Sequence, residues 1–467
     1  MRVSSAIAAV VLVFGLLVAP ALAGKSAGAV STGRSAIVFA DREPQSSMGI
    51  YAIRPDDGFP RPILRRPGVN FSDPVWSPDG TMIAFRRQVT ETGWHLMVMR
   101  ADGTQVREVS SLRAVGNPAW SPDGSRLAFG GHATFGGVPQ LHVVNLDGTG
   151  LDQLTDGPVA SAFPLWSVDG LRLYFLTAEA VFDPPRLYQI DIDGTNREAM
   201  TDEPVSGIAQ SPDGMTLAVG IAVDEVTQVH LVPAAGGEPV QVTDEDVPQT
   251  PRSYSPDGDR LLVGDLTFDS ETLTTMALDG SDRQPIWTPS VTGSADWGIP
   301  AFVDTIGSRF ASDIAWAVQE GLTDGCDIAE FCPHRPLTRA ELATLVARAL
   351  DLPAAVDDHF TDDDGTAHED AINRIADAGI VVGCGPSRFC PSRAVIRGEM
   401  AAILDRAVEP PATLEDYFVD DEGRPDEAAI NRIRAAGIAA GCTADRFCPT
   451  ASLTRAQAVA FLHRALT

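Results

Sequence analysis

Two tandem arrays with different periods fill most of this 467-residue chain, and that repetition restricts its fold more than any other feature. A short repeat cannot bury its own apolar face, so neighbouring copies must stack on one another. In the first array the marker Ser-Pro-Asp-Gly stands at Ser77 to Gly80, Ser121 to Gly124, Ser211 to Gly214 and Ser255 to Gly258, with Ser167-Val168-Asp169-Gly170 between them. Successive markers are 44, 46, 44 and 44 residues apart. Proline presets φ at the first central position of a turn, aspartate suits the next and glycine accepts positive φ, so the marker reads as a turn. An aromatic precedes it at Trp76, Trp120, Trp166 and Tyr254, with Gln210 the exception, and a strand-like run such as Met82-Ile83-Ala84-Phe85 follows. A second set of turns, Asp102-Gly103, Asp147-Gly148, Asp193-Gly194, Gly236-Gly237 and Asp279-Gly280, is of the kind that closes tight hairpins. Each unit therefore supplies about four antiparallel strands.

Five complete units lie between roughly residues 72 and 288. The segments Ser35 to Ala40, Gly49 to Arg54 and Pro62 to Arg65 read as a further unit that lacks its first strand. Ser294-Ala295-Asp296-Trp297 resembles the segment before each marker but has no marker after it, so it is expected to complete the N-terminal blade and seal a ring. Closure removes open strand edges. Residues 35–298 resemble the TolB-type, WD-like β-propeller repeat, and that resemblance implies an all-β, six-bladed propeller.

From Phe302 the period becomes 58 residues over three copies, expected at 302–359, 360–417 and 418–467 after a linker at 299–301. Phe302, Phe360 and Phe418 open the copies, and Asp304, Asp362 and Asp420 follow. Ile314, Ile372 and Ile430 come next, then Gly321, Gly379 and Gly437, and then Phe-Cys-Pro at Phe331, Phe389 and Phe447. A helix opens at Leu337-Thr338-Arg339-Ala340-Glu341, Val395-Ile396-Arg397-Gly398-Glu399 and Leu453-Thr454-Arg455-Ala456-Gln457, where Thr338 with Glu341 and Thr454 with Gln457 form capping boxes. These residues resemble three S-layer homology repeats. The resemblance implies an all-α, pseudo-threefold domain that docks bacterial surface proteins onto a secondary cell-wall polymer or another peptidoglycan-linked glycan. Carried over by position, the polymer-binding candidates are Arg339, Arg397 and Arg455, with Asp304, Asp362 and Asp420 beside them. A guanidinium near a helix N-terminus suits a carboxylate ligand, and the alternative for each arginine is a salt bridge to the Asp304-type residue or plain solvation. Three positions depart from the repeat: Ile396 and Gly398 replace Thr and Ala, and Gln457 replaces Glu. His368 and Asp426 stand where the first helix often has an aromatic.

All six cysteines fall in this array as Cys326/Cys332, Cys384/Cys390 and Cys442/Cys448. In an exported protein such pairs read as local disulfides, and zinc is the poorer alternative because no histidines stand at finger spacing. No G-x-S-x-G, H-E-x-x-H, Walker or G-x-G-x-x-G motif occurs, and no catalytic residue, metal or cofactor is assigned. His142 and His230 hold equivalent slots in two blades and read as packed or surface residues. Asp362-Asp363-Asp364-Gly365 lacks EF-hand spacing and reads as a loop leading into a helix.

Residues 1–23 read as a secretory signal, with Arg2, an apolar run from Ala6 to Val18 and Ala21-Leu22-Ala23 before the cut, and 24–34 as a linker. No later stretch is apolar enough to span a membrane, so no membrane insertion is expected after cleavage. With 44% hydrophobic and 21% charged residues the chain has the composition of a folded protein. A formal charge of −28 disfavours nucleic acid, and since Lys25 is the only lysine, sites for acidic ligands must be arginine sites. The expectation is an extracellular, wall- or S-layer-associated protein that displays a propeller for a protein or small ligand. The alternative is a wall-attached glycan hydrolase or lyase with its active site in the propeller funnel.

Overall fold

Each Ser-Pro-Asp-Gly marker folds on itself. At the first, Gly80 N–H donates to Ser77 O (2.8 Å), and Asp79 Oδ1 accepts from Ser77 Oγ (2.6 Å) and Thr81 N–H (3.0 Å). Gly80 has φ +67°, a backbone state that glycine adopts without strain. Ser77 N–H then donates to Met82 O (2.9 Å) and Met82 N–H to Ser77 Oγ (2.9 Å), which starts the first hairpin of the blade. These features belong to a computed structural model that describes residues 35–467 apart from 43–46, 56–58, 91–92, 135, 179, 181–182, 268–269, 290–293 and 306–307. The expected signal segment and the 24–34 linker lie outside the described residues.

The hairpins build a ring of six blades, although hydrogen bonding joins them into five sheets. Strands Ala36–Arg42, Met48–Ile53 and Arg61–Leu64 form the first blade, completed on its inner side by Ala295–Gly298, with Ile37 opposite Trp297 and Phe39 opposite Ala295. The second and third blades share one 14-residue strand, Arg107–Trp120, and so merge into a seven-stranded sheet. Elsewhere a Thr-Asp-(Gly/Glu)-Pro loop, at 155–158 and 201–204, breaks the chain between blades. The stretch from Val109 to Val115 contains no such breaker, so the backbone runs on.

Because side chains alternate across a strand, each blade buries both faces. Ala36 and Val38 pack with Ile83 and Phe85 of the second blade, whereas Ile37 and Phe39 pack with Leu262 and Leu273 of the sixth. Ala84, one residue along, faces Leu127 and Phe129 of the third blade. Apolar clusters of this kind fill the gaps between neighbouring blades around the whole ring.

The C-terminal region supplies two helices per copy: α1 (Ala311–Gln319) and α2 (Arg339–Ala349), α3 (Glu369–Asp377) and α4 (Arg397–Val408), α5 (Glu427–Ala435) and α6 (Arg455–Leu466). The short helix of each copy packs on the long helix of the preceding one, α3 on α2 and α5 on α4, and α1 on α6 closes the circle. At the centre, Leu337 N–H donates to Leu453 O (2.9 Å), Val395 to Leu337 (2.9 Å) and Leu453 to Val395 (2.8 Å). All of these residues are fully buried in one core with Phe331, Phe389 and Phe447. Both capping boxes form, and in the middle copy Ile396 keeps only the half in which Glu399 accepts from its amide (3.2 Å). No helix among the described residues is long and apolar enough to cross a membrane.

The first copy is also a joint to the propeller. Val303, Ile328 and Ala329 are buried in the cluster between the first two blades. Arg100 donates to Val303 O (2.8 Å), Arg54 to Asp324 O (2.7 Å), and Arg61 pairs with Asp327 (2.9 Å).

Candidate functional site

Two residues past the central hydrogen-bond ring comes the arginine of each helix start, and its own amide reaches across to the next copy: Arg339 to Arg393 O, Arg397 to Ala451 O and Arg455 to Arg335 O. The side chains follow the same path. Arg339 donates through Nε to Phe389 O (2.9 Å) and through Nη2 to Val382 O (3.0 Å), with its guanidinium 4.5 Å from the Phe389 ring centre. Arg397 repeats this with Phe447 O (2.9 Å) and Ala440 O (2.8 Å), and Arg455 with Phe331 O (2.9 Å) and Thr323 Oγ1 (3.3 Å). All are only 5–7% exposed. Each guanidinium therefore fastens one copy to the next through charge-assisted hydrogen bonds in addition to any ligand role. Burial lowers their pKa values, but a guanidinium stays ionised at any physiological pH.

The aspartates do a different task. Asp304 accepts from the amides of Phe331 (2.9 Å) and Cys332 (2.7 Å), Asp362 from Phe389 (2.6 Å) and Cys390 (2.9 Å), and Asp420 from Phe447 (2.8 Å) and Cys448 (2.9 Å). They brace the turn where Cys332, Cys390 and Cys448 adopt φ of +56° to +60°. Among the described residues no ion pair joins them to the three arginines. Glu399 stands 3.5 Å from Arg339 and Glu341 3.3 Å from Arg455 instead. The cysteines are bonded as Cys326–Cys332, Cys384–Cys390 and Cys442–Cys448, each stapling its own loop across about 6 Å between Cα atoms.

The three interfaces between copies are unequal. Beside Arg339 lies a groove of about 420 Å³, walled by Val381, Val382 and the Cys384–Cys390 bridge and rimmed by Arg393, Arg406 and Glu399. Arg393 and Arg406 are exposed, so with Arg339 they place three guanidinium groups around one hollow. Beside Arg397 the equivalent of Arg393 is Ala451, and Phe461 packs under the guanidinium at 5.3 Å. Beside Arg455 the set recurs as Arg335, which pairs with Glu341 as Arg393 does with Glu399, and Arg348, which donates to Leu322 O (3.4 Å) as Arg406 does to Ile380 O (3.0 Å). Here, however, Arg348 also turns to Asp324 (3.3 Å), and the loop Asp324–Asp327 is held by the propeller. Arg406 recurs in every copy, as Arg348 and Arg464, and Arg393 recurs as Arg335 but becomes Ala451 in copy three, so both were visible in the sequence although the helix-start motif does not include them.

Within the propeller the innermost strands of all six blades line a channel of about 550 Å³. Its wall is largely apolar, with Trp76, Trp120, Trp166 and several prolines. Those tryptophans are the residues before the turn markers, so this signal was present in the sequence. The channel's charged groups are committed: Asp296 accepts from Trp76 N–H (2.8 Å) and Ser253 Oγ (2.9 Å), and Arg252 pairs with buried Glu271 (2.6 Å). Burial raises the Asp296 carboxyl above its usual range. Asp296 thereby ties the closing strand to the blades on both sides. Phe163 projects into the channel at 42% exposure from a left-handed backbone (φ +55°), a strained state for an aromatic residue. His142 and His230 lie elsewhere, buried on third strands, where each bonds its own strand through Gln140 O (2.8 Å) and Gln228 O (3.1 Å).

The family described as TolB beta propeller domain matches residues 24–291, and the S-layer homology domain matches residues 359–401. The chain is similar to an S-layer protein of Bacillus thuringiensis subsp. finitimus, 31% identical over 173 residues that make up 35% of this chain and 21% of that protein. It is similar also to the S-layer protein sap of Bacillus anthracis, 31% identical over 159 residues, 32% of this chain and 19% of that protein. The chain thus spans about a fifth of the length of these relatives. TolB from Acinetobacter baumannii superposes on 57% of this chain and 67% of its own with a TM-score of 0.48 at 18% identity. With more than half of its length matched, the chain belongs to the TolB beta propeller domain family and carries an S-layer homology domain behind its propeller.

Proposed function

We propose that this chain is a cell-surface protein held non-covalently to a bacterial wall glycan through its helical array, and that it presents the propeller channel as an apolar binding site. The observation that carries the first half is the groove beside Arg339, rimmed by Arg393 and Arg406. Beside Arg397, by contrast, an alanine, Ala451, replaces the first of these and Phe461 lies under the guanidinium, and beside Arg455 the counterpart Arg348 is paired with Asp324 in a loop held by the propeller. Such a site suits an acidic sugar, because arginine binds a carboxylate bidentately. Similarity to proteins named as S-layer proteins supports the surface location. In this reading Arg397, Arg455 and the aspartates Asp304, Asp362 and Asp420 hold the array together, and the polymer meets Arg339, Arg393 and Arg406.

For the propeller, binding is favoured over hydrolysis or lyase chemistry. Asp296 and Arg252 already have partners, and most of the remaining wall is tryptophan, proline and aliphatic surface, with Asn117, Ser206 and Thr250 as its uncharged polar residues, which suits an apolar side chain or small ligand.

The test is co-sedimentation of the full chain with purified wall sacculi before and after acid extraction of the secondary polymer. Binding that is lost on extraction is the expected result. A chain that stays in the supernatant with intact walls, or that still binds extracted walls, contradicts the anchor reading.

A further inference from the structure

By its sequence Asp362–Gly365 is a loop leading into a helix, with no metal expected there. It does lead into α3, yet it also buries a carboxylate that nothing satisfies. Asp363 is 0% exposed and neither of its carboxylate oxygens has a hydrogen-bond partner, and the same holds for Asp421 in the third copy. Two wholly buried, unpartnered carboxylates at equivalent positions are not an accident of one loop, because a buried anion without a counter-charge is strongly unfavourable.

The surroundings of Asp363 are acidic rather than compensating. Oxygens of Asp358, Asp363 and Asp364 all lie within 4.8 Å of one another. Buried Asn373 holds Asp358 in place: its Oδ1 accepts from His359 N–H (3.0 Å) and its Nδ2 donates to Asp358 Oδ1 (3.3 Å). Glu369, at the start of α3, accepts from Gly365 N–H (2.6 Å) and closes the loop. The third copy repeats the bracing, with Asn431 between Tyr417 N–H (3.0 Å) and Asp416 (3.3 Å), and Glu427 on Gly423 N–H (2.7 Å).

The first copy is the internal control. At the positions of Asp358, Asp363, Glu369 and Asn373 it has Pro300, Thr305, Ala311 and Ala315. Thr305 satisfies itself locally by donating to Phe302 O (2.7 Å). The acidic residues and their bracing asparagine are therefore present together or absent together.

We propose that copies two and three each bind one calcium ion, through Asp358, Asp363 and Asp364 in one and Asp416, Asp421 and Glu422 in the other, and that copy one binds none. Carboxylates clustered without regular octahedral placement suit calcium, which accepts several oxygen ligands in variable geometry, better than magnesium, which demands a near-ideal octahedron and keeps its waters. The buried aspartate is then a ligand whose counter-charge is the ion, and the loop before each short helix is fixed by it.

The test uses the full chain, stripped with a chelator and titrated with calcium by calorimetry, with thermal unfolding followed in parallel. Two ions per chain are expected, together with a rise in the melting temperature of the helical region. Asp363→Asn and Asp421→Asn should each lower the stoichiometry from two to one, and the double variant should bind none. Both variants should unfold at a higher temperature than the stripped parent, because a buried charge is gone, which separates a lost site from a lost fold. Should either fail to fold, the exposed ligands Asp364→Asn and Glu422→Gln are expected to weaken their own site about tenfold or more. The proposal is overturned by a stripped chain that shows neither binding heat nor a thermal shift with millimolar calcium. It is equally overturned by a stoichiometry that survives in the double variant, and an equal response to magnesium overturns the choice of ion.

Discussion

Copies one and two of the helical array share the same frame at a spacing of 58 residues, yet they face different partners. Copy one turns its loop inward, where Ile328 and Ala329 enter the propeller core and Asp324 and Asp327 are held by Arg54 and Arg61. Copy two keeps its loop open, with Arg393 and Arg406 around a groove and a buried acid behind it. The lesson is that the frame residues fix the fold of every copy, while the residues between them decide what each copy touches. Arginine at the helix start belongs to the frame; Arg393, Asp327 and Asp363 do not.

The largest effect should come from breaking the frame itself. Phe389→Ala removes a wholly buried ring and the surface on which Arg339 stacks, and should destabilise the helical region by about 3–5 kcal/mol in denaturant unfolding. Phe331→Ala should match it in the other copy, and a loss below about 1 kcal/mol at either would show that the copies do not share one core. Next in size is Gly398→Ala. A Cβ there would collide with the Asp426 carboxylate, so we expect a loss of about 1–3 kcal/mol that Asp426→Ala relieves in the double variant. Two departures that look independent in the sequence, Gly398 and Asp426, are thus one substitution in space.

Removing the Cys384–Cys390 staple should cost about 2 kcal/mol, because its loop is short. Unfolding measured with and without reductant checks this. The smallest effect is at the joint. Arg61→Ala breaks a half-exposed pair with Asp327 and should change stability by about 0–1 kcal/mol, since the apolar contact of Ile328 and Ala329 persists. Acid separates the two regions further. Ser121 and Ser125 hold the Asp123 carboxyl of a propeller turn at about 2, well below its unfolded value. The stability from that turn is therefore present above the usual carboxylate range and is lost only as pH falls toward 2, so Asp123→Asn should lower the propeller's melting temperature equally at pH 7 and at pH 5.

Much of the fold was legible because turn chemistry and periodicity are local. Pro-Asp-Gly turns, the closing strand at Ser294–Trp297 and the capping boxes at Thr338 and Thr454 follow from residues adjacent in the chain. The fusion of two blades through Arg107–Trp120 was not anticipated, since it depends on the lack of a breaker rather than on any motif. The site was legible in residue type and not in role. Arg339 carries the right charge, but its bonds to Phe389 O and Val382 O arise from a loop about 50 residues away. Likewise the acidic run at Asp362 is plain in the sequence, whereas the burial of Asp363 alone among its neighbours is a tertiary fact.

The central claim is that one interface of the three carries the wall polymer. Its most direct test is equilibrium binding of the full chain to sacculi for Arg393→Ala/Arg406→Ala beside the equivalent pair Arg335→Ala/Arg348→Ala. Each charge-assisted contact is worth about 1.5–3 kcal/mol, so the first pair should weaken binding by about tenfold or more with little change in unfolding. The second pair should leave binding within about twofold, the change of a few tenths of a kcal/mol expected when no ligand contact is lost. Equal losses from both pairs, or none from the first, would contradict the account.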